Sequence, residues 1–423
     1  MQRSTFRQPL PAQFEGDMSK GYEVASGPAK YFELVGPAPA GSMSATGADM
    51  ARFMIAHLGA QQGREPRLLR PETAERMYTS MFRATSPTLG MSLGFFERDR
   101  NGQRILGHAG DTQFFHSDLL LFMDRDVGLF MSFNSAGKES SVYTLRTALF
   151  EKFADRYFPA PPPERPTLAS AVEHGRQLAG TYGVSRRSET SFFKLFTLLG
   201  QFKVTVEDDG TVVIPPLTGL NGEPKRWREV APYVWQEVGG QERVAAQVEN
   251  GRVRMVGADS LTGIMVFLPV GAAAASSWII PAVMVAIVAL LLTVVAWPVA
   301  AVVRRRRGAA FALSGREAFG YRFVRVAAVV NLVFLLGWVL VFSAGEADLA
   351  AFDGRMDPWL WLLRLIGLLV VAGAAVATWN AWLTFHASRG WKSKTWAVVL
   401  AASCVALAWF AFAFHLISFD PRY

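Results

Sequence analysis

The 423-residue sequence contains a single cysteine, Cys404, which lies inside an apolar run. An internal disulfide and a cysteine-based metal site are therefore excluded. The first ten residues hold no apolar stretch, so they do not resemble a secretory signal peptide. The glycine patterns of nucleotide-binding loops are also missing, and His57, His116 and His174 lack the spacing of zinc ligands. The sequence therefore predicts no metal and no cofactor.

Charge is scarce in the last third of the chain, where apolar runs follow one another. A membrane-spanning helix needs roughly 20 apolar residues. Four runs meet or approach this length: about 278–303, 323–343, 358–385 and 395–418. Tryptophans near their ends favour the two interfaces of a bilayer. We therefore predict an all-α domain of four transmembrane helices within residues 277–423, with the lipid bilayer as its partner.

The loops between these runs differ in charge. The loop after the first run carries four consecutive arginines, 304–307, and the loop after the third run is also basic. The loop after the second run, 345–357, is acidic. By the positive-inside rule the basic loops are cytoplasmic, which predicts a multi-pass protein of the cell (inner) membrane with its soluble head outside the cytoplasm. The formal charge of +8 then reflects topology, and no nucleic-acid partner is expected.

Residues 1–158 mix helix and strand signals. Residues 46–49 resemble a capping box at the start of one helix, and Pro71 suits the first turn of a second. Alternating patterns then predict strands, and a closing helix is expected at 139–157. The predicted strands are 91–97, 103–107, 114–123 and 127–134. This order of elements indicates an α+β domain.

Five prolines between residues 159 and 166 predict a stiff linker over 159–175. From 176 to 270, six short strands separated by hairpin turns predict a small all-β domain, either a barrel or a sandwich. No combination of residues in this domain has a catalytic pattern. The whole chain is therefore expected to be a multidomain protein.

The most informative stretch is 107–112, GHAGDT, which leads into a predicted strand. Together with 39–46, PAGSMSAT, and the helix after it, this stretch resembles the beta-lactamase-related (penicillin-recognising) serine hydrolases. Residues 1–10 resemble a stretch well inside the same domain, and 133–135 resembles the end of a later strand of it. Residues 178–182, LAGTY, resemble the start of its accessory β domain. The resemblance implies a partial beta-lactamase/transpeptidase-like domain at 1–158 that lacks its N-terminal part, followed by the accessory domain and a membrane tail.

The family carries three motifs in order: S-x-x-K, Y-x-N, and then K-T-G or H-x-G. The resemblance implies that His108 supplies the polar side chain of the third motif and that Gly110 lets the substrate approach the strand. It also implies that the backbone N–H of Asp111 is an oxyanion-hole donor. The alternative is that residues 108–110 form only a turn before a strand.

A nucleophile is harder to find. Two S-x-x-K strings, 135–138 and 191–194, follow the third motif, and 78–80 could imitate the second motif; such short strings recur by chance. We therefore expect the nucleophile and the export signal to precede Met1, and this chain to be catalytically inactive. A truncated core would expose apolar side chains. Those expected to be exposed are Phe95, Phe96, Leu120 and Phe122.

Two functions remain open from the sequence. The first is a membrane-anchored serine hydrolase that acts on amides or esters outside the cytoplasm, with beta-lactams, D-Ala-D-Ala peptides or small esters as candidate substrates. The second is a non-catalytic membrane protein that binds a ligand or signals. A transporter is less favoured, because the four spans hold no internal repeat and no acidic pair.

Overall fold

The computed structural model describes residues 1–65, 68–161, 168–261, 263–347, 352 and 354–420. The chain forms two compact units. The first joins Met1–Arg186 to Phe202–Pro269, and the second joins Arg187–Gln201 to Val270–Tyr423. Residues 162–167 of the predicted linker, and residues 348–351 and 353 of the acidic loop at 345–357, lie outside the described residues.

The first unit begins with a mixed domain. Its elements are β1 (Ser4–Thr5), α1 (Ala12–Glu15), β2 (Ser44–Ala45), α2 (Gly47–Gln61), α3 (Pro71–Tyr78), β3 (Phe96–Arg100), β4 (Gln103–Asp111), β5 (His116–Phe122), β6 (Val127–Phe133) and α4 (Val142–Tyr157). Strands β3 to β6 form an antiparallel sheet in chain order, since short turns join neighbouring strands. The Thr46 side chain accepts a hydrogen bond from the Asp49 backbone N–H (3.2 Å), so the N-cap half of the predicted capping box is confirmed. The Asp49 carboxylate accepts hydrogen bonds from the Arg3 N–H and the Ser4 hydroxyl instead.

Both faces of this sheet are covered. Leu119 and Leu121 of β5 belong to a core shared with α2 and α3, while Leu120 and Phe122 belong to a core shared with α4. This alternation is the period of two that a strand imposes on its side chains. Leu120 and Phe122 are 0% exposed, Phe95 is 4% exposed and Phe96 is half-buried. The expectation that these four side chains would be exposed was therefore wrong, because helices cover both faces of the sheet.

The rest of the first unit is a closed eight-stranded antiparallel barrel. After α5 (Ala171–Leu178), its strands are β7 (Gly180–Val184), β8 (Phe202–Val206), β9 (Val212–Thr218), β10 (Pro224–Ala231), β11 (Val234–Glu237), β12 (Arg243–Glu249), β13 (Arg252–Ala258) and β14 (Phe267–Pro269). Closure comes from the pairing of β7 with β14, in which Leu268 lies opposite Gly183. Trp227 and Trp235, both 0% exposed, fill the interior.

The second unit is helical. It contains α6 (Phe196–Leu199), α7 (Ser276–Arg306), α8 (Gly315–Ala347), α9 (Asp357–His386) and α10 (Trp391–Ala413). Helices α7 to α10 are long and apolar enough to cross a membrane, as the four apolar runs predict. Each of α7, α8 and α9 extends beyond its predicted span, because the helical backbone continues into the polar residues that flank the apolar run.

Candidate functional site

The segment 108–111 ends strand β4. Strand β5 pairs with β4 as far as the Asp111–His116 pair, whereas β3 pairs with β4 only from Gln103 to Gly107. Within the described residues, no strand pairs with 108–111 on the side of β3. An unpaired strand edge offers backbone N–H and C=O groups to another extended chain. The segment is therefore part of a strand and is not the simple turn that the sequence left open.

The three residues implied by the resemblance all lie on this segment and are exposed. The His108 ring stacks on Phe96, with ring centroids 5.1 Å apart and an angle of 18° between the planes. A Cβ atom built on Gly110 would meet nothing within 4 Å, whereas one on Gly107 would lie 2.9 Å from the Leu119 carbonyl oxygen. Packing therefore requires glycine at 107, while Gly110 faces open space.

Residues of β5 and α4 hold the Asp111 side chain in place. Its carboxylate lies 2.8 Å from Nδ1 of His116. Arg146 of α4 donates one hydrogen bond to each Asp111 oxygen (3.0 and 3.2 Å) and a third to the Ser117 carbonyl oxygen (3.0 Å). A paired guanidinium fork of this kind fixes a carboxylate in position. Arg146 thereby fixes the end of β4 against α4.

Sequence reasoning missed Arg146 and found no role for His116. Arg146 lies 35 positions after Asp111, and no local pattern links the two residues. The sequence shows only that an arginine lies on the helix that closes the domain. A solvent-exposed arginine on that helix would give the same pattern.

Asp118 lies on β5, directly opposite Ala109 of the 108–111 segment in β4. Its side chain is 3% exposed, and one of its oxygens lies 3.3 Å from the Arg98 guanidinium. Burial raises the pKa of the Asp118 carboxyl, although Arg98 and Arg146 act in the opposite direction. The other oxygen, Oδ1, has no hydrogen-bond partner among the described residues. A buried carboxylate with an unused acceptor is costly unless a further donor reaches it.

A cavity of about 700 Å³ lies beside Asp118, within the first compact unit. Residues of the mixed domain and of the barrel both line it, and its ionisable lining comprises seven carboxylates and five basic groups. Examples are Arg98, Asp118 and Glu151 from the mixed domain and Lys225, Glu242 and Arg243 from the barrel. Burial raises the pKa of Glu151, although Arg100 and Lys225 oppose the shift. The cavity can hold a small polar ligand as well as water.

The two S-x-x-K strings lie in different places. The Ser135 hydroxyl contacts the Glu23 carbonyl oxygen (3.3 Å) and the Gly137 N–H (3.0 Å), and the Lys138 side chain is 86% exposed. Ser191 belongs to the second compact unit, where its hydroxyl bonds to that of Ser188 (2.8 Å). Within the described residues, neither serine hydroxyl is hydrogen-bonded to the lysine of its string, although such a bond would help to activate the hydroxyl.

Tyr78, which could imitate the second motif, is part of a core. It is 1% exposed, its hydroxyl lies 2.7 Å from Nδ1 of His57, and burial raises its pKa to about 12. Tyr78 therefore packs inside the domain. Among the described residues, no group of three or more His, Cys, Asp or Glu side chains could hold a metal ion.

Residues 1–152 match the Beta-lactamase family model. These residues form a beta-lactamase-family domain. None of the curated proteins matches the chain. Among solved structures, the crystal structure of SurE is 17% identical with a TM-score of 0.36, over 60% of this chain and 55% of that chain. The octameric penicillin-binding protein homologue from Pyrococcus abyssi is 15% identical with a TM-score of 0.29, over 63% and 56%.

The chain thus spans little more than half the length of these two solved structures. With TM-scores below 0.5, neither structure supports an argument about this chain, so the family assignment rests on residues 1–152. The beta-lactamase-family domain contains the 108–111 segment, and the family assignment agrees with the resemblance seen in the sequence.

Proposed function

We propose that the beta-lactamase-family domain supplies the substrate-binding strand of a membrane-anchored serine hydrolase, which cleaves amides or esters through an acyl-enzyme. One observation carries this proposal: among the residues that the structure describes, the 108–111 segment is an exposed strand edge without a strand partner on the β3 side. Beta-lactams, D-Ala-D-Ala peptides and small esters are the substrate classes, and their carbonyl would lie beside Gly110, where a side chain would intrude.

The chemistry follows from the strand. An extended substrate adds to the free edge through backbone hydrogen bonds. The Asp111 N–H would then donate to the carbonyl oxygen as negative charge develops on it. Arg146 acts as a positioning residue, because it holds the Asp111 side chain on the far side of the strand. His108 would place a polar ring next to the bound substrate.

We further propose that these 423 residues bind substrate without becoming acylated. Ser135 and Ser191 are the only serines in S-x-x-K strings, and neither is hydrogen-bonded to its lysine in the described part of the chain. Binding without acylation is then an equilibrium that depends on a few backbone hydrogen bonds, each worth about 1 kcal/mol net. A Kd on the order of 1 mM is expected.

The test is equilibrium binding of a penicillin and of an acyl-D-Ala-D-Ala peptide to the detergent-solubilised full chain. Gly110→Val should weaken binding at least tenfold, since the added side chain occupies the space next to the edge while valine still suits a strand. Gly16→Val is the matched control, because a Cβ there also meets nothing within 4 Å. Equal affinity of the Gly110→Val variant and the unmodified chain would refute the site.

The cavity beside Asp118 favours a second candidate, a non-catalytic ligand-binding protein. The excess of carboxylates and the unused Oδ1 of Asp118 suit a small organic cation. Putrescine is a suitable probe for calorimetry, and Asp118→Asn should weaken its binding at least tenfold. Unchanged putrescine binding in this variant would refute this candidate, and its outcome is independent of the Gly110→Val result.

The orientation of the helices is also a proposal. The arginines that end α7 are expected on the cytoplasmic side, together with Arg389 and the two lysines that begin α10, Lys392 and Lys394, and the beta-lactamase-family domain is expected on the other side. A substrate-binding domain outside the cytoplasm would have access to cell-wall peptides and to beta-lactams.

A further inference from the structure

We propose that residues 187–201 form an interfacial anchor, a segment that inserts apolar side chains into the headgroup region of the bilayer. The segment runs between strands β7 and β8 but belongs to the compact unit of the membrane helices. Its centre, 191–200, reads SFFKLFTLLG. This short run is too small to span a bilayer and unusually apolar for a hairpin connection in a soluble barrel.

The anchor is fixed to the helical bundle at one end of α7. Phe192 is 2% exposed, and its ring lies 4.9 Å from that of Trp338 and 5.8 Å from that of Phe342. The Gln201 side chain accepts a hydrogen bond from the Ser276 N–H (2.8 Å) and donates one to the Ala274 carbonyl oxygen (2.8 Å). These bonds place the anchor beside the first residues of α7.

The outer face of the anchor is exposed in the described part of the chain. Phe196 is 49% exposed and Leu199 is 71% exposed. At the same end of the bundle, Trp278 near the start of α7 stacks on Trp409 of α10, and both indoles are more than 40% exposed. Exposed tryptophans at the ends of spanning helices mark the bilayer interface. The exposed side chains of the anchor continue this aromatic belt.

Continuity with the belt and with the apolar surface of the four helices identifies the bilayer, and not a second copy of the chain, as the cover. Lys194, half-buried on the same short segment, can reach the phosphate groups of lipids while its stem stays among apolar groups. The chain then has a lipid contact in addition to its four candidate spans.

Because Cys404 is the single native cysteine, replacing it leaves an introduced cysteine as the one site for labelling. In a Cys404→Ala background, Leu199→Cys and Leu220→Cys are labelled with an environment-sensitive fluorophore in the full chain, reconstituted in nanodiscs. Leu220, in the turn after β9, is 44% exposed and serves as the control. Both positions are exposed, so the fold should tolerate both labels.

Lipids with a nitroxide near the headgroup should quench the label at 199 at least twofold more than the label at 220, and aqueous iodide should show the reverse order. Equal quenching of both labels by lipid nitroxide would overturn the proposal. Protection of position 199 from iodide that appears only in discs holding two copies would also overturn the proposal, because the anchor would then be an interface between chains.

Discussion

Replacing Arg146 with methionine tests the support behind the 108–111 segment. Methionine keeps an unbranched apolar stem and removes the guanidinium, which donates two hydrogen bonds to Asp111 and one to the Ser117 carbonyl oxygen. A hydrogen bond to a charged group contributes about 1.5–3 kcal/mol. The Asp111 side chain is 34% exposed, so solvent screening places the total loss near the lower end, at about 2 kcal/mol.

Amide hydrogen exchange measured by mass spectrometry on the reconstituted protein reports this loss locally. A cost of about 2 kcal/mol corresponds to roughly 30-fold faster exchange when opening is a rapid equilibrium. The acceleration should be confined to peptides that cover β4 and β5. Arg156→Met on the same helix is the control, because that guanidinium is exposed and lies over its neighbour Tyr157. Equal exchange in the two variants would refute a positioning role for Arg146.

Three further predictions concern pH and topology. Desolvation alone would raise the pKa of Asp49, but hydrogen bonds from Arg3, Ser4 and other donors hold that pKa well below its usual range. Asp49→Asn should therefore lower the stability of the folded chain at pH 7, and the difference should fade as the pH falls below about 4. Thermal unfolding measured against pH would record both effects. Burial raises the pKa of Tyr78 to about 12, so stability should decline above about pH 10, where the unfolded tyrosine ionises; Tyr78→Phe should reduce this alkaline loss, and a decline of unchanged size would contradict the assignment. In intact cells, a membrane-impermeant maleimide should label a cysteine at Ala273 and not one at Ala309, and the opposite pattern would reverse the proposed orientation.

The strands of the beta-lactamase-family domain were largely predictable because their side chains alternate. The predicted strand at 127–134 matches Val127–Phe133, and that at 114–123 matches His116–Phe122. Strand β4 continues four residues beyond its predicted end at 107, since His108, Ala109 and Gly110 have weak strand propensity and are held by pairing with β5. The predicted strand at 91–97 begins only at Phe96, and Met91 forms isolated bridges.

The barrel shows a different limit. Strand β10 was not predicted, because Pro224–Ala231 begins with proline and carries charges on its outer face. It forms because β9 and β11 pair with its two sides and Trp227 fills the interior. Barrel closure joins β7 to β14 across more than 80 residues, and such pairings leave no local trace in the sequence.

The candidate site was predictable in part. The resemblance grouped His108, Gly110 and Asp111 in one motif, but the alternating pattern ended the predicted strand at 107, before all three; in the structure they belong to β4. The groups behind that strand could not be found from the sequence, because Arg146 and Asp118 reach it from α4 and β5 only after the sheet and helix have packed. Motif residues share a local spacing, whereas the groups that position them share only a place in the folded domain.

The most direct test of the central claim measures retention of a fluorescent penicillin by the full chain before and after denaturation. We predict that the chain binds the fluorescent penicillin under native conditions at millimolar ligand concentration. Unlabelled penicillin should displace it, and denaturation should release it completely. Fluorescence that remains on the denatured chain would contradict the account by revealing a nucleophile within these residues. Absence of any displaceable ligand under native conditions would contradict the assignment of 108–111 as the substrate-binding strand.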